Sequence, residues 1–304
     1  MRRMAIVAAL LLVAAIGWTL ATTSPPGLLS ILDGVVGGGR GTRQKGVGVP
    51  FGRHGQRLDV WRPGQVGPTL RPVVVFWYGG GWVKGTRDAY AFAARAYASQ
   101  GFVVVVPDYR KVPSVRFPAF VQDGAEALKW VRDHIADYGG DPNRVALAGH
   151  SAGAYTVAML ALDPRWLEAV GVDPHIVKAA VGLSGPYDFY PFDTKRSIDA
   201  FRGVREPALT QPVTFARFDA PPMLLVTSSE DTTVRPRNAE HLADALRRAR
   251  ARVVLKNYAG LDHEDVVMAL SRPFRGKAPV LADSVAFLNT NLGPSRTPAG
   301  AIAH

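Results

Sequence analysis

The sequence predicts an α/β domain in which a mostly parallel central sheet is flanked by helices on both faces. Three observations lead there. From about residue 47 onward, apolar runs of strand length alternate with alanine-rich or amphipathic runs of helix length. That alternation is the pattern of a parallel sheet built from crossover units. The strand runs, such as "PVVVFWY" (72–78) and "GFVVVVPDY" (101–109), are β-branched and bounded, as expected of strands covered on both faces. The polar residues suited to chemistry follow directly after such runs, where open α/β sheets bind ligands.

The elements follow in order. Arg2 and Arg3 precede an uncharged apolar run from Met4 to Ala21, long enough as a helix to span roughly 27 Å. Basic residues resume only at Arg40, which favours an N-in, C-out orientation. Residues 1–24 are therefore expected to be a signal peptide, with Thr19-Leu20-Ala21 as a passable cleavage site, or a membrane anchor. Either places the rest of the chain outside the cytoplasm, in the envelope or secreted. The glycine-rich stretch "DGVVGGGRGTRQKGVG" (33–48) predicts a flexible linker over 25–46. The folded domain is expected over 47–292 and a disordered tail over 293–304. Within the domain, 55–63 reads as an antiparallel edge strand. Residues 72–78, 101–109, 144–153, 177–188, 221–231 and 252–260 read as further strands. "DAYAFAARAYASQG", "FVQDGAEALKWVRDHIADYGG" and "RPRNAEHLADALRRARA" read as helices, the first two with glycine exits.

Composition narrows the functional classes. The 304 residues are 47% hydrophobic and contain no cysteine. A core of that size needs no staple, and thiolate catalysis, disulfides and cysteine-ligated zinc are excluded. The net charge of +11 raises the question of a polyanionic partner. The arginines are scattered, however, with one modest cluster, "LRRARAR" (246–252), and no basic-aromatic interleaving. No nucleic-acid partner is expected. No metal or cofactor is expected either, since zinc, calcium and phosphate-loop patterns are missing from the sequence.

Gly149-His150-Ser151-Ala152-Gly153 matches G-x-S-x-G, directly after one strand run and before the helical "AYTVAMLAL". In that context the serine sits on a tight strand-to-helix turn, and the glycines let the backbone pass close to itself. The turn also puts the hydroxyl at a helix N-terminus, which favours developing negative charge. Ser151 is the candidate nucleophile, and it needs a base. His150 is adjacent, but neighbouring side chains on a sharp turn point apart, so it should support the site rather than act in it. His263, just past "RVVLKN", is the candidate base. Asp231, ending "LLVTSSED", is the candidate acid that orients it, with Glu230, Asp262, Glu264 and Asp265 as rivals. Gly79, Gly80 and Gly81 end a strand where ordered backbone is costly. A second source of oxyanion donors explains that cost. Gly80 and Gly81 N–H, with Ala152 N–H, are the expected oxyanion hole.

The triple glycine with its aromatic, "PDYRKVPSVRFPAFVQD", "DPNRVALAGHSAG", "EDTTV" and "DHED" occur in this order. Over residues 47–292 the chain resembles the α/β-hydrolase superfamily. Within it, the chain is similar to hormone-sensitive-lipase-like and BD-FAE-type (feruloyl/acetyl) esterases. The resemblance implies a serine hydrolase acting on a small-molecule carboxylic ester through Ser151, His263 and Asp231. Amide or peptide hydrolysis of the arylformamidase or aminopeptidase kind is the alternative on the same fold, and a non-catalytic protein a further one. Two departures stand out. Tyr78 replaces the histidine that usually precedes the glycines, and "DYRKVPS" lacks the family's glutamate. Asp108, Arg110, Asp123 and Asp141 are then expected to be ion-pair and turn residues. Trp82 is expected either to line the substrate pocket or to pack in the core. In 185–204 a lid is expected, with Tyr187 a substrate-binding candidate and Phe189, Tyr190 and Phe192 as covering aromatics; ordinary cap packing is the alternative.

Overall fold

The computed structural model describes residues 22–65 and 67–293. Among them eight strands form one sheet: β1 (Thr42–Phe51), β2 (Gln56–Pro63), β3 (Arg71–Trp77), β4 (Val103–Pro107), β5 (Gly140–His150), β6 (Val177–Leu183), β7 (Met223–Thr227) and β8 (Val253–Asn257). The helices are α1 (Pro25–Val35), α2 (Ala91–Ala98), α3 (Ala119–His134), α4 (Ala152–Leu162), α5 (Arg165–Glu168), α6 (Lys195–Phe201), α7 (Arg237–Arg248), α8 (His263–Met268) and α9 (Val280–Leu292).

The strand order is β1-β2-β4-β3-β5-β6-β7-β8. β1 pairs antiparallel with β2, and β2 antiparallel with β4; every other pairing is parallel. Val73–Trp77, Val103–Val106 and Val145–Ala148 are almost wholly buried. Helices α2 and α9 cover one face; α3, α4 and α7 cover the other. That two-sided cover is why these strands are apolar at every position rather than at alternate ones. Strand order reverses at β3. β4 lies on one side of it and β5 on the other, and the two chain exits there leave a crevice at the carboxyl ends.

Two expectations are corrected. The linker expected over 25–46 is ordered structure. Ser24 caps α1, accepting from the Gly27 N–H, and Pro25 and Pro26 suit a first helical turn. Leu29, Ser30 and Asp33 are buried. The Ser30 hydroxyl donates to the Ala89 carbonyl at 2.8 Å, and the Arg95 guanidinium meets Asp33 at 2.7 Å. Asp33 also accepts from the Arg272 N–H at 2.8 Å. Removing one partner of so buried a pair is costly, so α1 is fastened to the domain. Of the glycines that suggested a linker, Gly37, Gly38, Gly39 and Gly41 make a short turn before β1, while Gly34 lies in α1 and Gly46 and Gly48 in β1. β2 is correspondingly an inner strand and not the edge, because β1 covers its outer side. Residues 1–21 and 294–304, which hold the apolar run and nearly all of the expected tail, lie outside the described residues. Among the described residues no helix is long and apolar enough to cross a membrane.

Candidate active site

Ser151 joins β5 to α4 with φ +55° and ψ −123°. That backbone is unfavourable for a residue with a side chain and must be imposed by its surroundings. The imposing contacts are steric. A Cβ on Gly149 would lie 2.7 Å from the Gly153 backbone, and one on Gly153 would lie 2.1 Å from the Trp77 carbonyl oxygen. The Ser151 N–H donates to the Leu183 carbonyl at 2.9 Å, tying the turn to β6. The side chain is thereby held at the crevice, at the start of α4.

His263 opens α8, just past β8, and Asp231 follows β7. The Ser151 hydroxyl and His263 Nε2 are 2.8 Å apart, as are His263 Nδ1 and Asp231 Oδ2. A neutral imidazole spanning both carries its proton on Nδ1, leaving Nε2 to accept from the serine. Asp231 Oδ1 accepts from the Thr233 and Val234 N–H groups at 3.0 and 2.8 Å. Burial pushes the Asp231 carboxyl up, but the hydrogen bond and charge of His263 and the Val234 N–H outweigh it and hold the group below the usual carboxylate range. The rival acids are engaged elsewhere or point outward. Glu230 accepts from the Gly260 N–H at 2.7 Å, Asp262 caps α8, Asp265 pairs with Lys277, and Glu264 is exposed.

His150 supports His263. Its Nε2–H donates to the His263 carbonyl at 3.0 Å, and the two rings lie 4.8 Å apart. Burial first, then the charge of His263, pushes its pKa down to about 3, so the ring is neutral.

Gly79–Gly81 lead out of β3 beside this turn. Gly80 has φ +125° and Gly81 φ +61°; a Cβ on Gly80 would meet the Lys84 carbonyl at 2.1 Å. The Gly80 carbonyl accepts from Val83 and Lys84, both at 3.2 Å, which curls the loop. Tyr78 anchors it: the buried phenol donates to Asp108 at 2.7 Å and stacks on Tyr109 at 4.9 Å. Asp108 also accepts from the Arg87 N–H and pairs with its guanidinium, and Arg87 in turn pairs with Asp59. The tyrosine thus orders the loop through a polar chain. Asp123 takes Arg110 at 2.8 Å, and Asp141 accepts from the Asn143 N–H in a turn. Nothing in the local sequence marks Arg87 for its role in the polar chain, because its acid partners are distant in sequence.

Two cavities of about 520 and 530 Å³ flank the serine, and Gly81, Ser151, Arg196 and Thr233 wall both. Trp82 both borders a cavity and packs among buried aromatics. It lines the first cavity, and its ring stacks on Phe189 and meets Tyr155 and Phe201 edge-on. Tyr187 does not line either cavity, contrary to expectation. It is fully buried, with its hydroxyl 1.9 Å from where a Gly182 Cβ would stand and 2.4 Å from where a Gly185 Cβ would stand, so it fills the space those two glycines leave. Phe189 is the aromatic of that segment that reaches the cavity. Phe192 stacks on Phe201, and Tyr190 is exposed. Among the described residues no cluster of side chains could hold a metal.

The BD-FAE family model matches residues 58–246. Esterase LipQ of Mycobacterium tuberculosis (strain ATCC 25618 / H37Rv) is 31% identical over 250 residues, covering 75% of this chain and 58% of that protein. Isoprenylcysteine alpha-carbonyl methylesterase ICME of Arabidopsis thaliana is 29% identical with the same coverage. The chain thus spans a little over half the length of these curated relatives. Among solved structures, the carboxylesterase EstE1, cloned from a metagenomic library, superposes with a TM-score of 0.71 at 24% identity, covering 90% of this chain and 99% of that one. A likeness at that identity shows the fold, which is that of an α/β-hydrolase.

Proposed function

This chain belongs to the BD-FAE family, and we propose that it is a serine hydrolase that cleaves carboxylic esters through an acyl-enzyme. One observation carries the reading: Ser151, His263 and Asp231, from three distant segments, are joined by two 2.8 Å hydrogen bonds at the wall of a cavity. The Ser151 oxygen bonds to the ester carbonyl carbon while His263 Nε2 takes its proton. Asp231 holds the resulting imidazolium in place. The oxyanion is received by the N–H groups of Gly80, Gly81 and Ala152, each such donor contributing on the order of 3–4 kcal/mol in the transition state. His263 then gives its proton to the departing alcohol oxygen. Water, deprotonated by the same nitrogen, attacks the acyl-enzyme, and Ser151 leaves with the proton.

The esterase names of the relatives favour esters over amides. Ser151→Ala is expected to lower kcat on 4-nitrophenyl acetate by roughly 10⁴-fold or more. A fluorophosphonate should label the wild type at Ser151 alone. A Ser151→Ala protein as fast as wild type sinks the reading. An acetanilide cleaved in preference to phenyl acetate would move it to amides.

We also place the enzyme outside the cytoplasm, because α1 follows directly on the basic-then-apolar run. Fractionation of cells producing the full chain tests this; recovery in the soluble cytoplasmic fraction alone would refute it.

A further inference from the structure

The two cavities beside Ser151 differ in chemistry. His263 lines only one of them, together with Tyr90, Phe92 and the start of α1. The imidazole must hand its proton to the departing alcohol, so that cavity is the alcohol side. The acyl group then extends into the other, past Ala152, Trp82 and Phe189.

Lys195, Arg196, Arg235 and Arg237 line that acyl cavity, against a single acid, Asp193. Lys195 is taken up by Asp199, which also holds Arg202. The guanidinium groups of Arg196, Arg235 and Arg237 have no hydrogen-bond or ion-pair partner among the described residues. Several arginines elsewhere are paired with acids, among them Arg87 with Asp59 and Asp108, Arg95 with Asp33, Arg110 with Asp123 and Arg165 with Asp163. The placement also works against local stability. Lys195 and Arg196 open α6 and Arg237 opens α7, where the helix dipole disfavours positive charge. Arg196 arches over the glycine loop, its Cδ 2.7 Å from where a Gly81 Cβ would be. These exposed, unpaired guanidinium groups on the wall of one cavity present fork-shaped donors that match a carboxylate.

We propose that this cavity takes an acyl group bearing a carboxylate at its far end, so that half-esters of dicarboxylic acids are the preferred substrates. The proposal rests on the ester-hydrolase reading above. Its test compares kcat/KM for mono-4-nitrophenyl adipate and 4-nitrophenyl hexanoate within each protein, so that loss of folded enzyme cancels. The wild type is expected to favour the adipate by about tenfold or more at low salt, less at 0.5 M NaCl. The ratio should fall to about one or below in R196Q/R235Q/R237Q and be partly restored by lysine at the three positions. A wild-type ratio near one, or a ratio that survives the triple substitution, overturns the proposal and makes these arginines a solvated rim. A preference for 4-acetoxybenzoate over phenyl acetate, with none for the adipate, puts the anion on the alcohol side and overturns it as well. Failure of the wild type to hydrolyse any of these esters, with no fluorophosphonate labelling, is the failure of the esterase reading and takes the proposal with it.

Discussion

The turn at Ser151 and the loop at Gly79–Gly85 stand side by side and solve one problem by different means. Each leaves a strand at the crevice, and each holds a residue with a side chain at positive φ: Ser151 at +55° and Trp82 at +62°. The serine turn is held by exclusion. Gly149 and Gly153 sit so close to backbone that no Cβ fits, and the Ser151 N–H is spent on β6. The glycine loop is held by a polar chain, Tyr78 to Asp108 to Arg87 to Asp59. Ser151 is therefore part of the core and fails with the fold. The loop is fastened from outside and can fail alone.

Gly153→Ala tests the first half of that contrast most severely. Its methyl would press on the Trp77 carbonyl, inside the sheet, and a loss of about 5 kcal/mol in folding stability is expected. Urea denaturation measures it; a loss under 1 kcal/mol would show that the turn has slack. Gly80→Ala tests the second half. The Lys84 carbonyl and the positive φ both oppose the methyl, and the displaced donor should lower kcat/KM by roughly 10²–10³-fold, or about 3–4 kcal/mol, with a smaller change in Tm. If stability fell more than activity, the loop would be as integral as the turn.

Acid sharpens the contrast further, because His150 belongs to the serine turn. Its pKa of about 3 in the fold lies below the ordinary ~6.5. Between those values the unfolded chain binds a proton that the fold refuses, so stability is whole above about pH 6.5 and is lost as pH falls toward 3. Between pH 7.5 and 4 the loss should be roughly 3 kcal/mol. His150→Gln should flatten that slope; equal slopes in both proteins would refute the assignment. The smallest effect is expected of Tyr78→Phe. Asp108 keeps Arg87, so about 1–2 kcal/mol of stability should go, with kcat lowered less than tenfold. A hundredfold loss of kcat would mean that the phenol, and not the arginine, sets the loop.

Much of this was readable from the chain. G-x-S-x-G, the glycine triplet and the strand-following His263 and Asp231 each carry their requirement within a few residues, so their placement follows from local backbone chemistry. Residues 25–46 misled because glycine content resembles a linker, while the contacts that order them, Asp33 to Arg95 and Ser30 to Ala89, join distant segments. Tyr187 misled because an aromatic near a site can face either way. Here the missing side chains at Gly182 and Gly185 draw the ring inward.

The chain alone carries the alternation from β2 to β8, with the helices α2, α3, α4 and α7, and the candidate nucleophile, base and acid, since hydrophobic period and turn chemistry are local properties. Folding adds that β1 is the edge strand beside β2, that Tyr78 leans on Asp108, and that arginines at the starts of α6 and α7 line one cavity. Those outcomes depend on which surfaces are left facing each other once the core has packed. That is a sum over many weak, long-range contacts, and no short stretch of chain contains it.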